Sequence, residues 1–460
     1  MNSSWKTLLW RAAIAVAILV IILGAFFADQ NARGRRDWQK VEQEINARGG
    51  SLNWDDYIPH PPPTNENFFA APMMAEWFER ATTTSSPRTG RPLYNSLDNP
   101  ETSSDAFDAI SASNYLAWCT TLEPQFNLVR EALKRPAAHI DGDYQKPFSE
   151  PLPNYITYRA LGQVLSHQAR CHLALNQPEK ALDDLTLLHD LNLTLVKDGR
   201  PILLVSAMIH VALTRQYVNA IADGLDSHTW REPELAVLQD QLAGIHLPPL
   251  LVVSFQTERA AACRTIDQYV GELWQSRSQL NSLTDLRWCF LPQGWLDQNK
   301  ILVADLEEQM IESVNPTNRT VSPAKAKATN VRVDDTFRRT TTRNFIAGRC
   351  VPNFAKAAST VARGQTWVDH AQIVCALECY RLRHGQYPPT LAALVPEFIS
   401  QLPQDIITGK PMIYVHKDEQ NFLLYSVGWN EVDDGGVIAR KGDGTEDGDV
   451  GDWVWHYPEP

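Results

Sequence analysis

Residues 12–28 read AAIAVAILVIILGAFFA, an uncharged apolar run that sets the architecture of this chain. Its length is at the lower limit for a helix that crosses the hydrocarbon core of a bilayer. Leu8, Leu9 and Trp10 extend the run if the Arg11 side chain reaches back to the lipid–water interface. The sequence therefore predicts an N-terminal transmembrane helix.

A cleaved signal peptide is the alternative interpretation of this run. The run is longer than the apolar core of an ordinary signal peptide. The residues at its end, Phe26, Phe27 and Ala28, make a poor cleavage site, because a large ring occupies a position that requires a small side chain. We therefore expect the segment to be retained as an anchor.

Composition and charge limit the classes of function. Of the 460 residues, 44% are hydrophobic and 21% are charged, as in ordinary globular proteins. The formal net charge of −12 argues against a sequence-independent nucleic-acid binder, which needs a basic face. We expect the membrane and other proteins as partners, and no nucleic acid.

The seven cysteines are scattered, and none forms a Cys-x-x-Cys pair, so neither a zinc ribbon nor a thioredoxin-type motif is present. Cys375 and Cys379 lie one turn apart on a predicted helix. We interpret them as packing thiols, with a redox or metal role as the alternative. A single disulfide is compatible with a location outside the cytoplasm, and its pairing stays open.

The chain as a whole is predicted to be mostly α. The predicted segments are a short tail (1–11), the anchor (12–28), a juxtamembrane arm and loop (29–104), a helical domain (105–315), a linker (316–344) and a small α+β domain (345–460). Within the arm, residues 36–47 predict a separate short helix that Gly49 and Gly50 end. Residues 81–104 are rich in Ser, Thr and Pro and predict a loop.

The helical domain contains one recognisable hairpin. Residues 174–182, ALNQPEKAL, predict a short turn between two antiparallel helices. Pro178 begins the second helix, where its missing N–H costs nothing. The turn resembles that of a tetratricopeptide repeat, but no second copy follows at a fixed period, so we predict one tetratricopeptide-like hairpin and no repeat array.

The predicted linker is polar and locally basic. Lys325, Lys327, Arg338, Arg339 and Arg343 suggest a segment that binds phosphate or lipid. A solvated connector or an ordered surface arm explains the same pattern, and we favour that interpretation.

The C-terminal segment has the most specific pattern. A helix that ends at His384-Gly385 is followed by Tyr387-Pro-Pro-Thr-Leu391, Leu402-Pro-Gln-Asp405, Gly409-Lys-Pro-Met-Ile-Tyr414 and Tyr425-Ser-Val-Gly428. Thr390 is expected to cap a short helix. Residues 412–416 and 422–427 predict two antiparallel strands joined by a polar turn.

This order of motifs resembles the globular head of the major pseudopilin of bacterial type II secretion systems. The resemblance covers residues 360–455 and implies a small α+β head outside the cytoplasm of a bacterial cell. The chain departs from that family elsewhere, because no Gly-Phe/Tyr-Thr-Leu-x-x-Glu-type processing site precedes Ala12 and more than three hundred residues separate the anchor from the head. As a whole the chain resembles uncharacterised single-pass bacterial membrane proteins.

An acidic, glycine-rich tail follows the Tyr-Ser-x-Gly strand. The candidate metal ligands are Asp433, Asp434, Asp443, Asp447 and Asp449, because calcium prefers several carboxylate and carbonyl oxygens on a tightly turning backbone. Major pseudopilins bind calcium in the loop at this position, so the resemblance implies a weak calcium site. A solvated acidic turn is the alternative.

No catalytic motif is present. The chain lacks Gly-x-Ser-x-Gly, His-Glu-x-x-His and the phosphate-binding glycine loops. His167 and His172 are five residues apart on a predicted helix, so they diverge by about 140° around its axis. Cys171 shares a face with His167, but no third ligand is evident. We expect packing or surface roles for all three.

These patterns predict a non-enzymatic, single-pass protein of the bacterial inner membrane that binds or organises other envelope proteins. The alternative is an envelope hydrolase with its site in the helical domain. The positive charges that follow the anchor would keep the large domain in the cytoplasm by a strict charge count. We expect it outside the cytoplasm, as the resemblance implies, because long domains translocate largely regardless of charge.

Overall fold

The structure, a computed structural model, describes residues 3–79, 109–147, 152–197, 202–275, 292–351 and 354–455. The loop predicted at 81–104 and Cys289 lie outside these ranges. The helices are α1 (Ser3–Ala47), α2 (Met74–Phe78), α3 (Ala109–Cys119), α4 (Glu123–Leu133), α5 (Tyr155–Ala174), α6 (Pro178–Leu193), α7 (Leu204–Asp226), α8 (Glu232–Ala243), α9 (Leu247–Gln275), α10 (Gln293–Ile311), α11 (Pro323–Phe337), α12 (Ala347–Cys350) and α13 (Phe354–His384). The described part of the chain is thus mostly helical, as predicted.

The first helix carries the apolar run. The stretch Thr7–Ala47 is long and apolar enough to cross a membrane, and none of its apolar window is buried within the protein. The separate short helix predicted after the anchor is wrong, because α1 continues unbroken from the apolar run to Ala47. No proline interrupts residues 29–47, and the single glycine there, Gly34, does not end a helix that packs along its length. The helix ends before Gly49, whose φ of 82° favours glycine.

Helices α3 to α10 form the helical body. The predicted hairpin is present as α5 and α6, with Asn176 in the left-handed region at φ 55° and Pro178 in the first turn of α6. The apolar segment around Val205–Val211 belongs to α7, where Ala207 and Val211 are buried in the core, so this part of α7 packs within the protein.

The linker predicted at 316–344 contains regular structure. Strands β1 (Val314–Asn315) and β2 (Thr320–Val321) form a short antiparallel pair that leads into α11. Ser322 caps α11, because its side chain accepts a hydrogen bond from the backbone N–H of Lys325. Ala326 and Thr329 are buried on its inner face. The polar composition reflects the outer face of a packed helix rather than a free connector.

The C-terminal strands are β3 (Ile413–Asp418), β4 (Asn421–Ser426), β5 (Ile438–Arg440), β6 (Glu446–Gly451) and β7 (Trp453–Val454). The first two are the predicted pair, and β7 adds to the free edge of β4 to give the order β3-β4-β7. Strands β5 and β6 form a separate hairpin. Thr390 precedes a 3₁₀ helix, Leu391–Leu394, but its side chain makes no capping hydrogen bond, so the predicted cap is wrong.

One hydrophobic cluster joins the helical body to the C-terminal unit. It includes Phe126 and Leu185 from the body together with Leu377, Leu394 and Trp453. Burial of apolar area is the main favourable term in folding, so these two parts stabilise each other. This shared core places strands β6 and β7 directly against α7 and α13.

Candidate functional site

The loop after Gly428 begins the predicted calcium segment. Asp433 Oδ1 accepts hydrogen bonds from the Tyr425 hydroxyl, at 3.0 Å, and from the Gly435 backbone N–H, at 3.0 Å. Asp434 Oδ2 accepts one from the Asn430 side-chain amide, at 2.9 Å. Both carboxylates therefore have partners within the loop itself.

Asp452 holds this loop from the far end of the β5–β6 hairpin. Its Oδ2 accepts a hydrogen bond of 2.6 Å from the Gly436 N–H, and its Oδ1 accepts one of 3.2 Å from the Asp434 N–H. Asp452 is 3% exposed, and burial raises the pKa of its carboxyl, while these backbone N–H groups lower it. The buried carboxylate thus fixes the backbone of this loop at two N–H groups.

The other three predicted ligands lie elsewhere on the hairpin. Asp443 is in the turn, where Oδ1 accepts hydrogen bonds from the Thr445 N–H and hydroxyl, and this lowers the pKa of Asp443. Asp447 accepts from the Asp449 N–H on β6. Among the described residues, no three His, Cys, Asp or Glu side chains converge as a metal-ligand group. Asp433 and Asp434, adjacent in the chain, thus lie in the loop whose backbone Asp452 holds, and the other three lie along the hairpin.

Two glycines allow the hairpin to close over this loop. Gly428 has φ 69°, and a Cβ on it would be 2.5 Å from the Gly451 carbonyl oxygen. Gly451 has φ 78°, and a Cβ there would be 2.8 Å from the Val437 carbonyl oxygen. Any side chain at either position would separate β6 from the loop. The glycine-rich composition therefore has a packing reason independent of calcium.

A cleft lies between the helical body and this hairpin. Its volume is about 50 Å³. It is lined by Val218, Asn219 and Ala222 of α7, by Arg363, Trp367 and His370 of α13, and by Glu446, Asp452, Trp453, Val454 and Trp455. The space holds a few waters or a small group rather than a large ligand.

Arg363 organises one wall of the cleft. Its guanidinium forms an ion pair with Glu446 of β6 and lies 5.2 Å from the centre of the Trp367 ring. The guanidinium of Arg215 lies 4.7 Å from the centre of the same Trp367 ring. Arginine over an indole face is a favourable cation–π arrangement. The ion pair thus connects the C-terminal hairpin to the helical body.

His370 forms the floor of the cleft. Its ring is 1% exposed and meets the Trp455 ring edge-on, with centroids 6.4 Å apart. Its Nε2 has no hydrogen-bond partner among the described residues. Burial lowers the pKa of His370 to about 3, so the imidazole is neutral at physiological pH.

The histidines singled out in the sequence have packing roles. His167 lies edge-on against Tyr115, with centroids 4.3 Å apart. His172 Nδ1 is 3.0 Å from Gln177 Oε1, and its Nε2 is 3.7 Å from Asp184 Oδ2. The described cysteines, including Cys171, are free thiols.

Asp184 is the most perturbed acid near these groups. It is 3% exposed, and burial raises its pKa to about 8. No sequence motif points to this residue, or to Arg363, Trp367, His370 and Asp452. The only available signal was the spacing of three and four residues that places Arg363, Trp367 and His370 on one face of a helix.

A third feature is an open groove between α4 and α6, with a volume of about 460 Å³. It is lined by Glu123, Arg130, Leu133, Asp183, Thr186, Leu187 and Asp190. Three carboxylates and one guanidinium face it, so the groove complements a segment with positive charge.

Comparison of this chain with family models, with curated proteins and with solved structures gives no match in any of the three.

Proposed function

We propose that this chain is a membrane-anchored scaffold of the bacterial envelope, whose helical body and C-terminal unit bind other proteins outside the cytoplasm. The observation that carries the proposal is the course of α1. Its apolar part is exposed, and its second half packs along α10 without a break. An anchor continuous with the body presents the same face of the body to the membrane at all times, which suits a protein that positions partners.

The groove between α4 and α6 is the candidate partner surface. Asp183 and Asp190 of α6 and Glu123 of α4 supply its negative charge, and Arg130 forms an ion pair with Glu123 at 2.7 Å. A basic peptide segment would be attracted to such a wall and rejected by an acidic one. The partner chemistry that fits is therefore a lysine- or arginine-rich segment of another envelope protein.

The link to a secretion or pilus-like system rests on the C-terminal unit. A long helix followed by an antiparallel sheet, α13 and then β3-β4-β7, has the element order that a pseudopilin head implies. The same resemblance implies calcium in the loop after Gly428. Of the five aspartates, Asp433 and Asp434 are the proposed ligands, because they lie in this loop while the others lie along the hairpin.

An envelope hydrolase is the second candidate, and one observation favours it. Asp184 has a pKa raised by burial to about 8, and His172 lies 3.7 Å from its carboxylate. Titratable groups whose pKa values are shifted by burial and by a charged neighbour are common at active sites. Asp184 is not among the residues that line the adjacent groove, so access of a substrate to this pair has no visible route there.

Crosslinking in cells, followed by purification from detergent-solubilised membranes, tests the scaffold proposal. The parent chain should recover a defined set of envelope proteins, and Asp183→Lys/Asp190→Lys should lose part of that set. Asp226→Lys/Asp240→Lys, which makes the same charge change on the exposed surface of α7 and α8, should retain it. Equal recovery by the groove variant and the control would contradict the groove as partner surface.

A further inference from the structure

The helical body contacts α1 at the level where the apolar run ends. The rings of Phe26, in the last turn of the run, and Trp295, in the first turn of α10, meet edge-on with centroids 6.3 Å apart. Trp295 Nε1 donates to Gln30 Oε1 at 3.1 Å, and Arg343 Nη2 donates to the same oxygen at 3.3 Å. If residues 12–28 span the bilayer, Trp295 and Arg343 lie at its surface.

The direction of α10 fixes which end of the body faces the lipid. At the start of α10, Gly294 packs on Gln30 and Gly34. Farther along both helices, Lys300 Nζ lies 4.5 Å from the centre of the Trp38 ring. Beyond that, Glu308 accepts a hydrogen bond of 3.0 Å from Arg48. The two helices therefore run parallel, away from the membrane. The start of α10 and the chain around Arg343, which contacts it, form the membrane-facing end.

This end is rich in arginine. Arg33, Arg35 and Arg36 are exposed on α1 just beyond the apolar run. Arg35 is about 10 Å beyond Ala28 at the rise of an α-helix, which is within reach of the headgroup layer.

A second set of arginines comes from the segment that follows α11 and from α12. Arg338, Arg339, Arg343 and Arg349 are exposed, and residues 338–349 contain no acid. Arg343 also lies 5.4 Å from the centre of the Trp295 ring, a pairing of indole and guanidinium that suits a membrane interface. The three arginines of α1 and these four together form a set of seven, which we call the arginine collar: Arg33, Arg35, Arg36, Arg338, Arg339, Arg343 and Arg349.

The charges around the collar leave it net positive. On α1, Asp29 pairs with Arg33 at 2.9 Å, and Asp37 is exposed nearby. On α11, Asp335 pairs with Arg338 at 2.6 Å. Both pairs are exposed, so they are weak and screened. Asp334 of α11 is exposed beside Asp335. Seven arginines against these four carboxylates give an excess of positive charge at this end of a chain whose net charge is −12.

The lysines of the same basic segment do not belong to the collar. Lys325 Nζ donates to the Glu312 carbonyl at 3.1 Å, and Lys327 Nζ donates to the Trp429 carbonyl at 2.9 Å. Both lie near the opposite end of α10, which ends at Ile311. The structure thus separates the basic segment into structural lysines and membrane-facing arginines.

We propose that the arginine collar binds the headgroups of anionic phospholipids in the leaflet from which the body emerges. The inference rests on the membrane anchor of the proposed function. The planar guanidinium group accepts a lipid phosphate in a bidentate fashion and keeps its charge at any relevant pH. Each arginine held near an anionic surface adds to the attraction. The collar therefore fixes the tilt of the body against the membrane and selects lipids around the anchor.

Reconstitution of the full chain into vesicles of phosphatidylcholine and phosphatidylglycerol tests the collar. Electron spin resonance of spin-labelled lipids gives the relative association of each lipid with the protein. The parent should prefer phosphatidylglycerol over phosphatidylcholine by about threefold or more, and 0.5 M salt should reduce that preference. Arg35→Gln/Arg36→Gln/Arg339→Gln should bring the ratio close to one, since none of these guanidiniums pairs with a described carboxylate in the structure.

The matched control is Lys410→Gln/Lys417→Gln/Lys441→Gln, which removes the same charge from the exposed C-terminal unit. The control should keep the preference of the parent. A parent ratio of one, or an equal loss in the control, would overturn the collar while leaving the anchor intact. Failure of the parent to float with vesicles would overturn the anchor itself, and the collar with it.

Discussion

Gly34 of α1 and Gly294 of α10 occupy each other's side-chain space. A Cβ built on Gly34 would be 2.4 Å from the Gly294 Cα, and one built on Gly294 would be 2.0 Å from the Gln30 carbonyl oxygen. The two helix backbones are therefore in direct contact just beyond the apolar run. Small residues allow this close approach in helix pairs at and within membranes. The contact makes the anchor and the body one mechanical unit.

We predict that Gly294→Ala destabilises the chain. The new methyl group meets backbone atoms that cannot rotate away, so the two helices must separate, which costs on the order of 1–3 kcal/mol. Thermal unfolding of the full chain in detergent measures the effect. Gly24→Ala in α1 is the matched control, because a Cβ on Gly24 meets nothing within 4 Å. Equal midpoints for the two variants would contradict the close contact.

We predict that Leu394→Ala lowers the free energy of unfolding by about 2–4 kcal/mol. Leu394 is 0% exposed and belongs to the cluster that joins the C-terminal unit to the body. The control is Val432→Ala, at a position 54% exposed, which should change the free energy by less than about 0.5 kcal/mol. Chemical unfolding of the full chain is the measurement, and a loss at position 394 as small as the control would contradict the shared core.

Local patterns predicted the elements of this fold better than their connections. The α5–α6 hairpin and the β3–β4 pair follow from turn residues and periodicity near Pro178 and Tyr414. The continuity of α1 and the helix within the polar segment 316–344 were missed. Both depend on packing against α10 and α13, and burial of one face stabilises a helix whose composition alone is ambiguous.

The candidate site was predictable only in part. The acidic loop was visible as composition, and Asp433 and Asp434 do lie together. Asp452 is one of many acids in this tail, and nothing in the sequence shows that its carboxylate accepts hydrogen bonds from two backbone N–H groups of a loop sixteen and eighteen residues earlier. The cleft around His370 is formed by segments distant in the chain, so no local motif could indicate it.

We predict that Asp184 makes stability depend on pH. Burial, opposed by Arg130 and reinforced by Glu123 and Asp183, raises its pKa from 3.8 to about 8. The folded chain therefore binds this proton more tightly than the unfolded chain. The stabilising contribution is full below pH 3.8 and is lost as pH rises towards about 8.

The measurement is the free energy of unfolding of the parent and of Asp184→Asn between pH 4 and pH 8. As the pH rises, the free energy of unfolding of the parent should fall relative to that of Asp184→Asn by up to about 1.4 kcal/mol per pH unit. Asp183→Asn, at the adjacent exposed position, should retain the parent's slope. A pH-independent difference between parent and Asp184→Asn would show that Asp184 is ionised in the folded chain throughout this range.

We predict that millimolar calcium raises the unfolding midpoint of the full chain weakly, through Asp433 and Asp434 alone. An exposed site of this kind binds with a dissociation constant of about 10⁻⁴ to 10⁻³ M. The increase should vanish in Asp433→Asn/Asp434→Asn and persist in Asp443→Asn/Asp447→Asn/Asp449→Asn, because the latter three lie along the hairpin. An unchanged midpoint in the parent would identify the tail as a solvated acidic turn held by Asp452.

The compartment of the C-terminus tests the claim that the body lies outside the cytoplasm. Two reporters are fused after Pro460, one that is active only in an oxidising compartment outside the cytoplasm and one that matures only inside it. A membrane-anchored extracytoplasmic scaffold predicts activity of the first reporter and silence of the second, with both fusions recovered in the membrane fraction. Activity of the cytoplasmic reporter alone would contradict the claim and place the body on the other side of the membrane.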